Sequence, residues 1–242
     1  MHNTKYYILN SLHKIFLKNK AFDKIEEDKI KAARYFKLAA DQGHAKSMYN
    51  YAKMLDNGDE IEEDKIKAAH YYTLAADQGD TDSMYNYAVM LNIGDGIGMN
   101  KIEAARYYKM AADQGHVDSM FKYAYMAENG DGIAENKIRA ARCYKLEAEQ
   151  GHVDSMPKYA KMLENGDGNE ENKKEATLYY KIAADIGHID VMFIYALMLD
   201  EGDVIKKDKK EAAHYFKLAA YKRQCTIMPI CLIMEMVLKQ TR

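Results

Sequence analysis

The sequence predicts an all-α protein, a right-handed α/α superhelical solenoid of 36-residue helix-turn-helix repeats, and three observations predict it. One segment recurs at a fixed offset, its apolar residues fall at helical spacing, and the chain holds only 2 Pro in 242 residues. The segment Lys29–Gly43 returns as Lys65–Gly79, Lys101–Gly115, Lys137–Gly151 and Lys173–Gly187, with no insertion between copies. A sixth copy opens at Lys209 and keeps Ala212, Ala213, Tyr215, Phe216, Ala219 and Ala220. Periodicity this strict marks a stack of like units, each touching its neighbours.

Within a unit, Ala32, Tyr35, Phe36, Ala39 and Ala40 line one side of a first helix, helix A, and Gly43 stands where a left-handed residue ends it. Met48, Tyr51, Ala52, Met54 and Leu55 give a second, helix B, which ends at Gly58. In later copies Asp82, Asp118, Asp154 and Asp190 fall in its first turn, where a carboxylate suits the positive end of the helix dipole. Gly-Asp-Gly-Ile at Gly94–Ile97 and Gly130–Ile133 makes the tight turn that returns the chain to the next helix A. The Ala pairs at 32/33, 68/69, 104/105 and 140/141 let two helices approach closely while aromatics at 35 and 36 fill the gaps. One hairpin cannot bury both its faces, so neighbouring hairpins must stack.

The motif Ala-x-x-Tyr-Phe-x-x-Ala-Ala-x-Gln-Gly-His followed by Met-Tyr-Asn-Tyr-Ala-x-Met-Leu-x-Asn-Gly resembles the Sel-one-like repeat, a relative of the tetratricopeptide repeat, over residues 29–220. The family's helix B glycine stands here as Ala52, Ala88, Ala124, Ala160 and Ala196, and its Trp as Tyr35 and equivalents. The resemblance implies an adaptor or scaffold that holds a protein or peptide, without catalysis. Some cysteine-rich relatives are credited with hydrolase activity, but their paired cysteines are absent from these repeats. A truncated repeat fragment of a longer multidomain signalling protein is the other alternative.

Composition narrows the partners. The 35 Lys and Arg nearly cancel the 37 Asp and Glu, so the chain lacks the basic excess of a phosphate-backbone binder, and nucleic acid is not the expected partner. Cys143, Cys225 and Cys231 are too few and too irregular for a disulfide framework, which points to a reducing compartment. No export signal is legible in residues 1–22, and the apolar run Ile227–Leu238, broken by Pro229 and Glu235, falls short of the ~20 residues of a membrane span. A cytoplasmic protein with no membrane partner is expected.

Chemistry finds little support. His44, His116, His152 and His188 recur once per repeat, and stacked hairpins hold equivalent residues at least ~8–10 Å apart, too far to share one metal ion. Each is instead expected at the start of a helix B, where Asp80 takes the same slot. The acidic turn from Asp56 to Asp64 has Gly58 in the third place of a calcium loop, and the Gly-Asp-Gly turns lack the context of a phosphate cradle. Cys143 replaces a repeat tyrosine and reads as core. No catalytic, cofactor or metal residue is predicted. The tyrosines 51, 87, 123, 159 and 195 repeat too faithfully for a recognition site and also read as core.

Variation among copies points to binding, since stacking positions must repeat while partner-facing ones can differ. Positions 34 and 37 share one face of helix A and give a basic stripe, with Arg34, Lys37, Arg106, Lys109, Arg142 and Lys145 as its candidate partner-binding residues. That stripe suits an acidic or phosphorylated peptide. The competing reading is a solvated face on which these cations pair with Asp41, Asp113, Glu149 and the like one turn away. A second candidate is helix B position 53, occupied by Lys53, Val89, Tyr125, Lys161 and Leu197.

Three parts are expected: a degenerate N-terminal cap (1–28), the array of five full repeats plus a sixth helix A (29–220), and a divergent tail (221–242). Read one base out of frame, Met228 into Pro229 must encode Ala, while Met234 into Glu235 and Met236 into Val237 must each encode Gly. That reproduces the spacing of Ala88, Gly94 and Gly96, so the tail is read as a frameshifted helix B without function.

Overall fold

The computed structural model describes residues 28–59 and 61–240, with side chains as far as Gln224. The described chain is a succession of helices: α1 (28–41), α2 (Ala45–Asn57), α3 (Lys65–Asp77), α4 (Thr81–Ile93), α5 (Lys101–Asp113), α6 (Val117–Asn129), α7 (Lys137–Glu149), α8 (Ser155–Asn165), α9 (Lys173–Ile186), α10 (Ile189–Glu201) and α11 (Lys209–Gln240). Odd-numbered helices are the helices A of the repeat and even-numbered ones the helices B. They gather into two compact units, one ending at His116 and the other beginning at Val117. The proposed N-terminal cap, apart from residue 28, lies outside the described residues.

Each helix A from α1 to α9 ends on a left-handed glycine. At Gly43, φ 92, the N–H of Gly43 donates to the Ala40 carbonyl at 2.9 Å and that of His44 to Ala39 at 3.1 Å, closing the last turn. The following helix A starts on an Asx cap. The Asn100 N–H is tied to the Leu91 carbonyl at 2.8 Å, while its side chain accepts from the Glu103 N–H at 3.1 Å. Asp64, Asn136, Asn172 and Asp208 repeat that arrangement.

The second glycine of the Gly-Asp-Gly turn has a separate reason. A Cβ on Gly96 would lie 2.0 Å from Lys65 Cβ, and one on Gly168 would lie 2.3 Å from the Lys137 carbonyl oxygen. The turn therefore lies against the start of the preceding helix A, and its aspartate takes the lysine there, with Lys65 to Asp95 at 3.0 Å and Lys137 to Asp167 at 2.8 Å. Lys65 also bonds Asp56 at 2.8 Å. Asp56 first, and Asp95 with it, hold its ammonium well above the usual lysine range.

The core follows the repeat. Ala68, Ala104, Ala140 and Ala176 are fully buried, as are Ala52, Ala88, Ala124, Ala160 and Ala196 on the helices B, so small residues face one another where the helices meet. Tyr72, Tyr108 and Tyr144 fill the space between them. The helix B tyrosines expected in the core meet helix A rings edge-on, Tyr51 with Tyr71, Tyr87 with Tyr107, Tyr159 with Tyr179 and Tyr195 with Tyr215, at centroid distances of 4.9–5.1 Å. Tyr35 on α1 departs from the pattern and is 71% exposed.

Two helices depart from the common length, each for a residue that can be named. α8 begins at Ser155, two residues later than its sisters. In the common register Pro157 would be the fifth helical residue, lacking the N–H owed to the first carbonyl and pressing its ring against it; starting at Ser155 places it in the first turn instead. α11 runs on to Gln240 because Arg223 stands where the other copies have their terminal glycine. The side chains beyond Gln224, and with them the shifted-frame reading of the tail, lie outside the described residues. No helix among the described residues is long and apolar enough to cross a membrane.

Candidate functional site

The stripe residues lie where the repeat spacing puts them. Arg34, Lys37, Arg106, Lys109, Arg142 and Lys145 are all exposed on helices A. Within the first unit Lys37 pairs with Asp41 at 2.6 Å and Lys109 with Asp113 at 2.5 Å, each one turn away. Arg106 reaches Glu103 at 3.6 Å and lies 4.5 Å from the Tyr107 ring centroid. In the second unit Lys145 faces Glu149 at 3.9 Å, and no carboxylate of the described residues pairs with Arg142. The acidic residues beside the stripe also serve the stacking: Tyr71 donates its hydroxyl proton to Asp41 at 2.8 Å, and Tyr215 does so to Asp185. Lys37 and then Tyr71 hold the Asp41 carboxyl below the usual carboxylate range.

All four histidines lie at or beside the start of a helix B, and two of them cap it. His44 Nδ1 accepts from the Ser47 N–H at 3.2 Å and His188 Nδ1 from Val191 at 3.4 Å, while Asp80 does the same to Ser83 at 2.8 Å. His116 stacks on Tyr85 at 5.0 Å and faces Asp82 at 3.6 Å. The rings of His116 and His188 also reach the start of the helix B of the preceding hairpin, and among the described residues no three His, Cys, Asp or Glu side chains group as metal ligands. Cys143 is half-buried against the core of the second unit. Opposite it, Tyr123 lacks the ring its sisters meet, and Arg139 donates to its hydroxyl oxygen at 2.8 Å.

Sequence reasoning passed over two residues of the same repeat. Glu147 is fully buried at a position where the other copies carry Ala39, Ala75, Ala111, Ala183 and Ala219. Its Oε2 accepts the Ser155 hydroxyl proton and lies 3.4 Å from His152 Nδ1, while its Oε1 has no hydrogen-bond partner. Burial pushes this carboxyl up to about 7, against the opposing hydrogen bond from Ser155 and with help from the charge of Asp118. Pro157 stands where the sisters have Tyr49, Tyr85, Phe121 and Phe193. Both departures were visible as breaks in the internal alignment.

A chain of successive helical hairpins of one length and one sequence pattern is, by class, a repeat protein. The chain belongs to the Sel1 repeat family, which it matches over residues 21–44, 45–80, 81–116, 117–152, 153–188 and 189–223. The family counts a unit as helix B plus the following helix A, so its first match holds a single helix A. Among solved structures, a protective antigen of uropathogenic Escherichia coli displaying an SLR fold superposes with a TM-score of 0.75 at 24% identity over 78% of this chain. The chain spans 41% of that protein's length. A Sel1 repeat protein from Oxalobacter formigenes superposes with a TM-score of 0.74 at 24% identity, over 85% of this chain and 87% of that one. These likenesses establish the α/α solenoid fold. No curated protein matches the chain. Sel1 repeats as a class generally mediate protein–protein interaction.

Proposed function

We propose that the chain is a non-enzymatic cytoplasmic scaffold that holds a protein or peptide, and that the exposed face of its helices A contacts an acidic segment of that partner. Arg34 and Lys37, Arg106 and Lys109, and Arg142 and Lys145 are the contacting residues in this reading. The observation that carries it is the contrast between positions within one repeat. Buried positions return almost unchanged, whereas exposed position 34 varies among Arg, His and Leu, and position 37, mostly exposed, keeps Lys in every copy but Thr73. The pairs Lys37–Asp41, Lys109–Asp113 and Lys145–Glu149 do not oppose it, since exposed ion pairs contribute little to stability and can exchange for a partner carboxylate or phosphate. The arginines add bidentate recognition of either group. Nucleic acid and membrane surfaces are not proposed, because a net charge of -2 supplies no long-range attraction to either.

The test arrays short acidic and phosphorylated peptides beside charge-reversed controls and probes them with the purified chain and with a variant in which Arg106, Lys109, Arg142 and Lys145 are all Ala. Retention of acidic peptides by the chain, reduced at least fivefold in the variant at unchanged helical circular dichroism, supports the reading. Equal retention by both proteins refutes it.

A further inference from the structure

The second unit contains a cleft that the repeat pattern does not predict. Its floor is Tyr180 of α9, buried and donating its hydroxyl proton to Glu164 at 3.2 Å. Its walls are Phe121 of α6 and Ile194 of α10, and Pro157, Lys158 and Lys161 of α8 lie between them around a volume of about 420 Å³. The depression is open to solvent on one side, so a side chain can be laid into it from outside.

The other repeats show what this space normally holds. Tyr49 lies 6.1 Å from Tyr72, Tyr85 lies 5.9 Å from Tyr108, Phe121 lies 5.7 Å from Tyr144 and Phe193 lies 5.2 Å from Phe216, centroid to centroid. In these four repeats the helix A ring is thus covered by a ring from helix B. Tyr180 alone in that series faces a proline, whose small saturated ring leaves the aromatic position empty. The same repeat is also the only one with lysine at both positions 50 and 53, where the others read Asn50 and Lys53, Asn86 and Val89, Lys122 and Tyr125, and Ile194 and Leu197. Lys161 is exposed with no ion-pair partner among the described residues, and Lys158 holds Glu128 only at 3.4 Å. On the far side of the mouth Asp154 stands 3.9 Å from His188. Two ammonium groups beside a mostly apolar recess with room for a ring complement an aromatic side chain flanked by carboxylates.

We infer that this cleft is a binding site for a partner peptide, taking one Phe or Tyr side chain in place of the missing helix B ring while Lys158 and Lys161 engage acidic residues beside it. The inference rests on the reading of the chain as a peptide-binding scaffold, but it uses helix B and the stripe uses helix A, so the two can fail separately.

The probe is the peptide acetyl-Asp-Glu-Phe-Asp-Glu-amide, titrated into the nitrogen-labelled full chain and followed by amide chemical shifts. Saturable shifts around Phe121, Lys158, Lys161 and Ile194 are expected, with Kd on the order of 0.1–1 mM for so short a ligand. Pro157→Phe, which restores the sister ring, is expected to weaken binding at least tenfold, and Lys161→Glu about fivefold. Replacing the peptide's Phe by Ala is expected to abolish the shifts. Absence of saturable shifts, undiminished binding by both Pro157→Phe and Lys161→Glu, or equal binding of a peptide with Lys in place of Asp and Glu overturns the inference. Loss of binding in a variant carrying Arg142→Ala and Lys145→Ala, with Pro157→Phe binding normally, overturns it in favour of the stripe. Normal binding by that variant together with loss in Pro157→Phe supports the cleft whether or not the stripe reading survives.

Discussion

Replacing Glu147 by Gln should make the protein more stable at neutral pH and leave it unchanged in acid. The carboxyl is fully buried, its Oε1 has no partner, and its ionisation is displaced from an ordinary 4.5 to about 7. The sign follows from proton counting. Between about pH 4.5 and 7 the folded chain keeps a proton that the unfolded chain has released, so stability falls as pH rises through this window. Below it the carboxyl is neutral in both states and costs nothing; above it the full cost applies, about 3 kcal/mol at ~1.4 kcal/mol per pH unit. The groups that face it are Ser155 and His152 at the start of α8 and, by its charge, Asp118 of α6. Gln keeps the shape and accepts the same Ser155 proton without a charge to bury. Urea denaturation of both proteins, followed by circular dichroism from pH 4 to 9, reads the difference, in which every other titration cancels. The variant should match the parent near pH 4 and exceed it by roughly 2–3 kcal/mol at pH 8. A difference that is flat with pH, or a variant less stable at pH 8, would refute the argument.

Two further substitutions test the packing. Gly168→Ala should cost roughly 3 kcal/mol or more, because a Cβ there meets the Lys137 carbonyl oxygen at a left-handed φ of 72, whereas Gly115→Ala, with φ 88 and open space around its Cβ, should cost only about 1–2 kcal/mol. Equal denaturation midpoints for the two variants would show that the turn does not bear on helix A as described. Cys143→Tyr should gain about 1 kcal/mol by giving Tyr123 the edge-on ring that its sisters have, and a lowered midpoint would mean that the Arg139 hydrogen bond has repacked the site around itself.

The hairpin, its alanine seam and its glycine stops were legible because each position is written several times in one chain. Six copies of position 40 that all read Ala leave little room for another interpretation, and Ala40, Ala76, Ala148 and Ala184 are indeed buried. What repetition could not convey is the side-chain pairing across it. Spacing places Lys37 and Asp41 on one face, but only the structure shows that the cation, the acid and the Tyr71 hydroxyl form one chain of contacts. Glu147 was harder for a physical reason: a glutamate on a helix normally rotates its charge to water, and the sequence alone does not say that Ser155 and His152 hold this one inside. Pro157 was equally plain in the alignment, yet its consequence depends on register. It displaces the start of α8 and empties a ring position at the same time.

Several departures from the repeat fall together, although others, such as the buried Thr177 of α9 in a position that is otherwise Ala, lie elsewhere. Cys143, Glu147, Pro157 and the paired lysines Lys158 and Lys161 all fall on α7 and α8. In a stacked array stability is close to a sum over units and their interfaces, so a hairpin packed between neighbours can carry a buried charge and a missing ring at a local cost that the units beside it absorb. The same changes at an end of the array would act on a hairpin with one interface fewer. A position where five copies agree and one differs is therefore an internal comparison that separates what stacking demands from what this hairpin does differently. By that comparison Cys143 and Glu147 mark a hairpin that gives up stability at neutral pH, and Pro157 beside them opens a cleft, the combination expected where a surface is shaped for something other than holding the fold together.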